Sequence, residues 1–510
     1  MELCSQVIGN DVSDKEHDIA KTGKTVKKAE KGNKEPKSQG QILADKLFVN
    51  RKNVWEGIDA KTEKEVEAFA RSYKDILDRG KTEREFSSAS VELIKALKFK
   101  ELGQVKPSGA KGKNAYPPGT MLYEHIRGKA LICAIIGKKP LTEGINILGA
   151  HIDSPRLDLK PSPLYEDTDF ALLDTHYYGG IKKYQWTAIP LAMHGFFVDS
   201  KGKEVKICIG EDDNDPAFTI TELLIHMSQD QLQKKGTEVV EGEDLDVLAG
   251  SRPYEDEKVK EKVKLRFLSI LNEKYGLNEE SFASAEVEFV PAFKARDIGL
   301  DRSMIGGYGH DDRCCAYPAL RAIMEIAAGK EVPEKTVLLY FSDKEEIGSV
   351  GNTGAESWGF ENFVTALAGE ENLRSCLLNS TMLSTDVAAA VEPVYASVYD
   401  KRNSPYMGKG LVITKYTGSR GKYGASDANA EFCSRVQALL THNKIPWQTG
   451  TLGKVDKGGG GTIALHAAKY GMEVIDCGVP VLSMHSPFEV ISKIDLYTAY
   501  KAYLAFLKEM

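Results

Sequence analysis

Long apolar runs, paired cysteines and a strong basic charge are all missing from this 510-residue chain. No stretch reaches the roughly 18 to 20 consecutive apolar residues that a membrane span needs. Residues 1–10 also lack the basic start and apolar run of a secretory signal. We therefore expect a cytoplasmic protein with no membrane partner.

The eight cysteines form no CxxC pair and no framework of the secreted type. Several lie inside apolar runs, as Cys133 does in LICAII, which indicates buried and reduced thiols. With 42% hydrophobic and 28% charged residues, the chain has enough apolar content for more than one core. Two domains are expected.

A formal charge of -7 argues against a specific nucleic-acid partner, because phosphate binding needs a concentrated basic surface. The exception is residues 21–37, which carry seven lysines and two glutamates. We interpret residues 1–42 as a disordered Lys-rich tail. Its role stays open between a solvating extension and contact with RNA or an anionic surface.

Beyond the tail, regular patterns predict helices and strands in alternation. Apolar residues recur at helical spacing over residues 66–77, Gly80 stands at a C-cap position, and Thr82 with Glu85 forms a capping-box pattern. Strands are predicted at 130–136, 145–150 and 336–341 and in the segments LLNSTMLSTD and EVIDCGVPVLSMH. Amphipathic segments such as 315–328 separate them. The alternation predicts an α/β fold, with a largely parallel sheet flanked by helices and sites at the C-terminal strand edges.

Residues 156–296 differ in character and are interpreted as an inserted domain. They contain the strand-like pieces TAIPLAMHGFFV and EVKICIG, the acidic stretch EDDNDP and a helix predicted over residues 221–234. The catalytic domain is accordingly divided into residues 43–155 and 297–510.

Polar clusters stand at the predicted strand ends and loops. They are HID at 151–153, HDD at 310–312, DKEE at 343–346, STD at 384–386 and MHS at 484–486. Each alone is weak evidence, because a histidine or aspartate beside a strand is commonly a cap or a surface residue. Together they offer the mixed nitrogen and oxygen ligands of zinc, cobalt or manganese, in numbers that suit a two-metal hydrolytic site.

A closer match lies in the strings GAHIDSPRLDLKP, GHDDRCCAY, SDKEEIGSVGNTGA, STDVAAAVEP, KGGGGTIA and MHSPFEV. In their order and spacing, from about residue 50 to the end, the chain resembles a bacterial-type member of the aspartyl aminopeptidase and vacuolar aminopeptidase I family of metallopeptidases. The resemblance implies a zinc-peptidase-like three-layer α/β sandwich with an inserted β-rich dimerisation domain. It also implies a metalloaminopeptidase that hydrolyses the N-terminal peptide bond of peptides.

The resemblance further implies which residues bind metal. His151 and Asp386 would bind one cation, Glu346 and His485 the other, and Asp311 would bridge the two. The expected cofactors are therefore two divalent ions per subunit, with zinc first and cobalt or manganese as alternatives.

Two further carboxylates, those of Glu345 and Asp153, have predicted catalytic roles. Glu345 would accept a proton from a water that bridges the two metals and return it to the departing amine. Asp153 would hold the second ring nitrogen of His151. The resemblance also implies a cis peptide bond before Asp312.

Substrate contacts are predicted at two places. The glycine run containing Gly459 and Gly460 lacks the GK[ST] sequence of a phosphate loop, and the resemblance implies a backbone that lies along the substrate. His194 matches a region where relatives send a histidine into the partner subunit's site to steady the oxyanion. An ordinary buried histidine is the alternative at this position.

The preferred first residue is expected to be neutral or basic. Aspartate-preferring members have AVHP and a later VIK string, whereas this chain has Glu392 in AVEP and Thr414 in VIT. An acidic substrate side chain would then meet a carboxylate, unless Lys415 supplies a compensating charge.

Peptide substrates and further copies of the chain are the expected partners, in a homo-oligomer that is a dodecamer built from dimers. Competing interpretations are a carboxypeptidase or amide deacylase on the same scaffold, and a non-catalytic assembly protein. The complete ligand set together with Glu345 argues against the assembly protein.

Overall fold

The computed structural model describes residues 37–108, 114–199 and 201–510. Two compact units, Met1–Asn50 and Arg51–Met510, make up the chain. In the first unit, α1 (Gln39–Leu47) begins at a capping box formed by Ser38 and buries no residue. The predicted Lys-rich tail lies outside the described residues up to residue 36, and its residues 39–42 form the start of α1.

The second unit contains the other described helices. They are α2 (Ala60–Arg79), α3 (Glu83–Ala96), α4 (Lys262–Tyr275), α5 (His310–Ala328), α6 (Gly359–Ala368), α7 (Leu373–Leu378), α8 (Ala430–His442), α9 (Ala464–Ala468) and α10 (Lys493–Glu509). The predicted Gly80 cap of α2 and the capping box of Thr82 and Glu85 are confirmed. Among the described residues, no helix is long and apolar enough to cross a membrane.

The described strands also belong to the second unit. In chain order they are β1 (Lys100–Glu101), β2 (Met121–Ile126), β3 (Ala130–Ile135), β4 (Ile145–His151), β5 (Arg156–Asp167), β6 (Phe170–Tyr178), β7 (Leu191–Val198), β8 (Glu204–Ile209), β9 (Val247–Gly250), β10 (Glu286–Pro291), β11 (Arg296–Ile298), β12 (Met304–Gly307), β13 (Thr336–Ser342), β14 (Thr381–Ser384), β15 (Ala388–Ala389), β16 (Leu411–Thr414), β17 (Gly418–Ser419), β18 (Trp447–Thr449), β19 (Gly459–Gly460), β20 (Glu473–Gly478), β21 (Pro480–Leu482) and β22 (Glu489–Ser492).

A nine-stranded sheet forms the centre of the unit, in the order β1-β2-β3-β13-β4-β14-β20-β16-β18. Its middle strands β13, β4, β14 and β20 run parallel to one another. Every residue of β4 and β13 is buried, as expected for parallel strands that are covered on both faces. Leu148 belongs to an apolar cluster with residues of α2, α3, α5, α8 and α10 on one face of the sheet, and Ile147 belongs to a second cluster with residues of α6, α7 and α9 on the other. The predicted α/β fold with flanking helices is confirmed.

A six-stranded antiparallel sheet, ordered β8-β7-β10-β5-β6-β9, is built entirely from residues 156–291. One of its faces packs on a separate apolar cluster that includes Leu157, Met193 and Phe289 and the α4 residue Phe267. A five-stranded sheet, ordered β11-β12-β22-β21-β15, takes its strands from residues 296–492, and these alternate along the chain with strands of the nine-stranded sheet.

Two predictions of secondary structure are wrong. The segment predicted as a helix over residues 221–234 forms only the short 3-10 turns Ile225–Met227 and Gln231–Gln233, because no core covers its apolar side chains and Leu224 and Met227 stay exposed. The helix of this region is α4 instead. The predicted strand before His485 divides into β20 and β21, which belong to different sheets, so His485 lies in the loop after β21.

Candidate active site

Neighbouring parallel strands deliver the first part of the site to one edge of the nine-stranded sheet. His151 is the last residue of β4 and lies opposite Ser342, the last residue of β13. Glu345 and Glu346 follow β13 in a short 3-10 turn, and Asp386 comes just after β14. The C-terminal ends of parallel strands meet at one edge, so residues distant in sequence become neighbours.

Asp311 lies between the two histidines. Its Oδ1 is 3.1 Å from His151 Nε2, and its Oδ2 is 3.2 Å from His485 Nε2. The residue occupies the first turn of α5, and the peptide bond from Asp311 to Asp312 is cis, as the resemblance implies. One carboxylate therefore contacts the ring nitrogens of both predicted histidine ligands.

Around His151, donor atoms suited to a cation converge in two groups, one from His151, Asp311 and Glu346 and the other from His151, Asp312 and Asp386. In each group the donor atoms lie within 4.8 Å of one another. Asp312 was predicted only as the residue after the cis bond, and the structure adds its carboxylate to the site.

The donors fit a divalent transition metal. Glu346 Oε1 and both carboxylate oxygens of Asp312 are buried and have no hydrogen-bond partner among the described residues. Glu346 Oε2 lies 3.4 Å from His485 Nε2. Buried carboxylate oxygens next to imidazole nitrogens form the mixed ligand set that zinc accepts.

Burial and mutual charge set the electrostatics of this cluster. Burial lowers the pKa of His151, but the carboxylates of Asp153 and Asp311 outweigh it and raise the pKa well above the usual histidine value. Burial raises the pKa of Asp311, but its hydrogen bonds to His151 and His485 outweigh that effect and leave the pKa below the usual range. Burial also raises the pKa of Glu345 to about 7.

Asp153 does more than the predicted contact with His151. The ring Nδ1 of His151 is 3.3 Å from Asp153 Oδ1 and 3.2 Å from the Asp153 backbone carbonyl oxygen. The Asp153 carboxylate also accepts the backbone N–H groups of Glu345 at 3.1 Å and Glu346 at 3.2 Å. It therefore holds the loop that carries the predicted proton carrier.

Glu489 is a contributor that the sequence reasoning missed. It is 1% exposed, and its two carboxylate oxygens accept the backbone N–H of Asp311 at 3.1 Å and of His485 at 2.8 Å. A glutamate at the start of a buried strand, β22, was the available signal. Gly180 was missed as well, since it acts through its carbonyl oxygen, 2.8 Å from His485 Nδ1.

His194 lies elsewhere in its own chain. It is 4% exposed, and its ring nitrogens contact Glu85 Oε1 at 2.7 Å and Glu211 Oε1 at 3.0 Å. Burial lowers its pKa, yet these two carboxylates raise the pKa to about 9. The structure does not bring His194 to the cluster of Asp311 within one chain.

The remaining predicted substrate residues lie on exposed segments. Gly459 and Gly460 form β19, which pairs with β17. Ile463 follows this glycine run and lies close to Gly149, which is two residues before His151. A Cβ added at Gly149 would be 3.2 Å from Ile463 Cδ1. Glu392 Oε1 accepts the backbone N–H of Ser483 at 2.5 Å, which places this carboxylate beside the loop of His485.

Comparisons with known proteins identify the family of the chain. A family model described as Aminopeptidase I zinc metalloprotease (M18) matches residues 76–507. A probable M18 family aminopeptidase 1 from Clostridium acetobutylicum is 51% identical over 91% of this chain and 100% of its own length. The M18 family aminopeptidase structure from Thermotoga maritima matches with a TM-score of 0.85 and 44% identity, over 91% of this chain and 100% of that one.

A more distant structure, the mApe1 dodecamer of Saccharomyces cerevisiae, shares the fold at 21% identity, with a TM-score of 0.69 over 86% of this chain and 96% of that one. The extent of the family match and the high identity to the bacterial relatives decide the assignment. The chain belongs to the M18 family of zinc metalloproteases and is a metalloaminopeptidase.

Proposed function

We propose that the chain removes N-terminal residues from peptides with two divalent cations bound at the cluster around Asp311. In this proposal His151 and Asp386 bind one cation, Glu346 and His485 bind the other, and Asp311 binds both. The observation that supports it best is the contact of the two Asp311 oxygens with the two different histidines, at 3.1 Å and 3.2 Å. Asp312 belongs only to the group with His151 and Asp386, whereas Asp311 contacts both histidines, so the shared role goes to Asp311.

The cations, when bound, would polarise the scissile carbonyl and acidify the attacking water. Glu345 adjoins the proposed ligand Glu346 without being a ligand itself, which suits a proton carrier. Its carboxylate accepts the proton of the water and then donates it to the departing amine, and burial, which raises the pKa of this carboxyl, favours proton uptake. The amide hydrogen bond to Asp153 keeps Glu345 in place.

We also propose a preference for neutral or basic first residues. Glu392 stands beside the loop of His485, where it would repel an acidic substrate side chain. Lys415 does not offer a free compensating charge, because its ammonium is paired with Asp427. An acidic first residue would therefore lack a cationic partner.

A panel of aminoacyl anilides, assayed with zinc, cobalt or manganese, tests the activity and the preference together. We expect metal-dependent release of leucine, alanine or lysine anilides at rates well above those of aspartate and glutamate anilides. N-acylated amides in the same panel should stay intact. Cleavage of the acylated amides would support a deacylase instead, and fastest cleavage of aspartyl anilide would contradict the proposed preference.

For assembly, we propose an inserted domain of residues 156–296 that pairs two chains, with six dimers in a closed dodecamer of the cytoplasm. Exposed apolar side chains on this segment, among them Leu224, Ile225 and Met227, support an interface, because such patches on soluble proteins mark contact sites. In this arrangement His194 would approach the partner's cluster, exchanging one of its two carboxylate contacts for the substrate. Light scattering at assay concentration tests the mass, and a fully active monomer would contradict the proposal.

A further inference from the structure

Residues 178–180, the sequence YGG at the end of β6, form a segment that we call the strap. The strap belongs to the six-stranded sheet, whereas the proposed ligands lie around the nine-stranded sheet and on the loop after β21. Each of its three residues nevertheless contacts a residue of the active site or its immediate support. No sequence pattern had marked this segment.

Tyr178 anchors the carboxylate of Asp153. The Tyr178 hydroxyl donates a hydrogen bond to Asp153 Oδ2 at 2.8 Å, and the side chain is almost completely buried. The same carboxylate accepts the backbone N–H groups of Glu345 and Glu346. The Tyr178 hydroxyl therefore holds the Asp153 carboxylate, and this carboxylate holds the loop of Glu345 and Glu346.

The ring of Tyr178 is held in turn by Arg156. The Arg156 Cζ atom lies 3.9 Å from the ring centroid, a distance at which a guanidinium is attracted to the face of an aromatic ring. Arg156 is buried and bonds to Glu83 at 3.1 Å and to Asp158 at 2.8 Å. These contacts hold the phenol ring in the position from which its hydroxyl reaches Asp153.

The first half of the proposed site consists of His151 and Asp386, and the second half consists of Glu346 and His485. The two glycines of the strap lie beside the second half. Gly179 has a φ of +79°, and a Cβ added there would lie 3.4 Å from Glu346 Cβ and 3.3 Å from Pro155 Cγ. The Gly180 carbonyl accepts a hydrogen bond from His485 Nδ1 at 2.8 Å. That bond commits Nδ1 as the donor and directs Nε2 towards Asp311 and Glu346.

We propose that the strap is a positioning element that orients both halves of the metal site at once. The inference rests on the two-metal site proposed above. Tyr178 acts through Asp153, which contacts the ring of His151 in the first half and the backbone of Glu346 in the second, and Gly180 acts on His485 in the second half. Because partners of metal ligands tune ligand orientation, their loss typically weakens metal binding by about 10- to 100-fold.

Titration of the metal-free protein with Co²⁺ tests the strap without relying on activity. Tyr178→Phe removes one hydroxyl and keeps the ring against Arg156. Tyr177→Phe is the matched control, because the preceding side chain points to the opposite face of β6 and is 39% exposed. We expect Tyr178→Phe to weaken Co²⁺ binding by about 10-fold or more and to shift the visible absorption of the loaded protein, with Tyr177→Phe unchanged.

The glycine pair Gly179→Ala and Gly202→Ala separates positioning from general strain. Both glycines have a φ of +79°, but a Cβ at Gly202 meets nothing within 4 Å, whereas one at Gly179 presses on Glu346 and Pro155. We expect both variants to lose melting temperature through the strained backbone, and only Gly179→Ala to lose Co²⁺ affinity.

The outcomes distinguish the two proposals. If the wild type binds two Co²⁺ ions per chain and Tyr178→Phe and Gly179→Ala bind them with unchanged affinity and spectrum, the strap has no positioning role. If the wild type itself binds fewer than two ions, the two-metal site is wrong and the strap inference fails with it.

Discussion

His151 and His485 occupy equivalent places in the proposed site, yet the protein holds them in different ways. His151 ends a fully buried strand in the middle of the nine-stranded sheet and is 1% exposed. His485 lies in a loop with a φ of +64°, and its side chain is 36% exposed. The strand places the first histidine, whereas separate hydrogen bonds to Glu489 and Gly180 place the second.

The site is therefore rigid on the side of His151 and adjustable on the side of His485. Rotation of His151 would break its contacts with Asp153 and Asp311 inside the buried site. Rotation of His485 breaks only a few hydrogen bonds near the surface. We therefore expect variants of the two halves to differ in stability even where they abolish the same activity.

The largest effects are expected for His151→Ala and His485→Ala, each of which should lose the cation of its half and nearly all activity. His151→Ala should also lose about 1–3 kcal/mol of stability and His485→Ala less, because the space left by the buried His151 is closed to water, whereas water can reach Asp311 and Glu346 through the space left by the partly exposed His485. Metal analysis and thermal melting of both purified variants check this. Equal losses of melting temperature would remove the distinction between a rigid and an adjustable half.

Glu345→Gln tests chemistry apart from metal binding. The change should lower kcat by about 10²- to 10⁴-fold, because the amide cannot carry the proton, while the metal content stays at the wild-type level. Glu356→Gln, at an exposed glutamate further along the same connection, is the control. A Glu345→Gln enzyme with nearly normal kcat would exclude Glu345 from the mechanism.

Mixing experiments test whether the inserted domain serves a partner's site. His194→Ala chains and Glu345→Gln chains, each weakly active alone, should recover about a quarter of wild-type activity when exchanged in equal amounts, since half of the dimers would hold one complete site. A mixture of His151→Ala with Glu345→Gln should stay inactive, because both residues act within one chain. Absence of recovery in the first mixture would limit His194 to its contacts with Glu85 and Glu211.

Deletion of residues 1–42 is expected to have the smallest effect. The deletion removes the start of α1, but α1 buries no residue. Stability should change by no more than about 0.5 kcal/mol, and kcat/KM should stay unchanged. A deletion of residues 1–36, which spares α1, is the comparison, and a large fall in melting temperature for either protein would contradict the prediction.

Features that depend on local pattern could be predicted from the sequence. Buried strands have distinctive apolar runs, so the sequence alone predicted that His151 and Asp386 lie at the ends of strands. The pairing of Asp311 with both histidines came from the family resemblance, because spacing alone does not show which side chains meet.

Features that depend on contacts between distant backbones could not be predicted. The Gly180 carbonyl has no side-chain signature, and the hydrogen bond from Tyr178 to Asp153 joins β6 to the loop after β4. The helix predicted over residues 221–234 was wrong for a related reason, since Leu224, Ile225 and Met227 stay exposed and pack against no core among the described residues. Asp312 was adjacent to a predicted ligand, but only the turn at the start of α5 reveals that it faces the site.

The most direct test of the account is the metal content of Asp311→Ala, measured by mass spectrometry after equilibration with zinc and removal of free metal. Asp301→Ala, at an exposed turn, serves as the control. The proposed two-metal site predicts about two ions per chain in the wild type and the control. It predicts about one or none in Asp311→Ala, because both cations share this carboxylate. Two ions per chain in purified Asp311→Ala protein would contradict the proposed site.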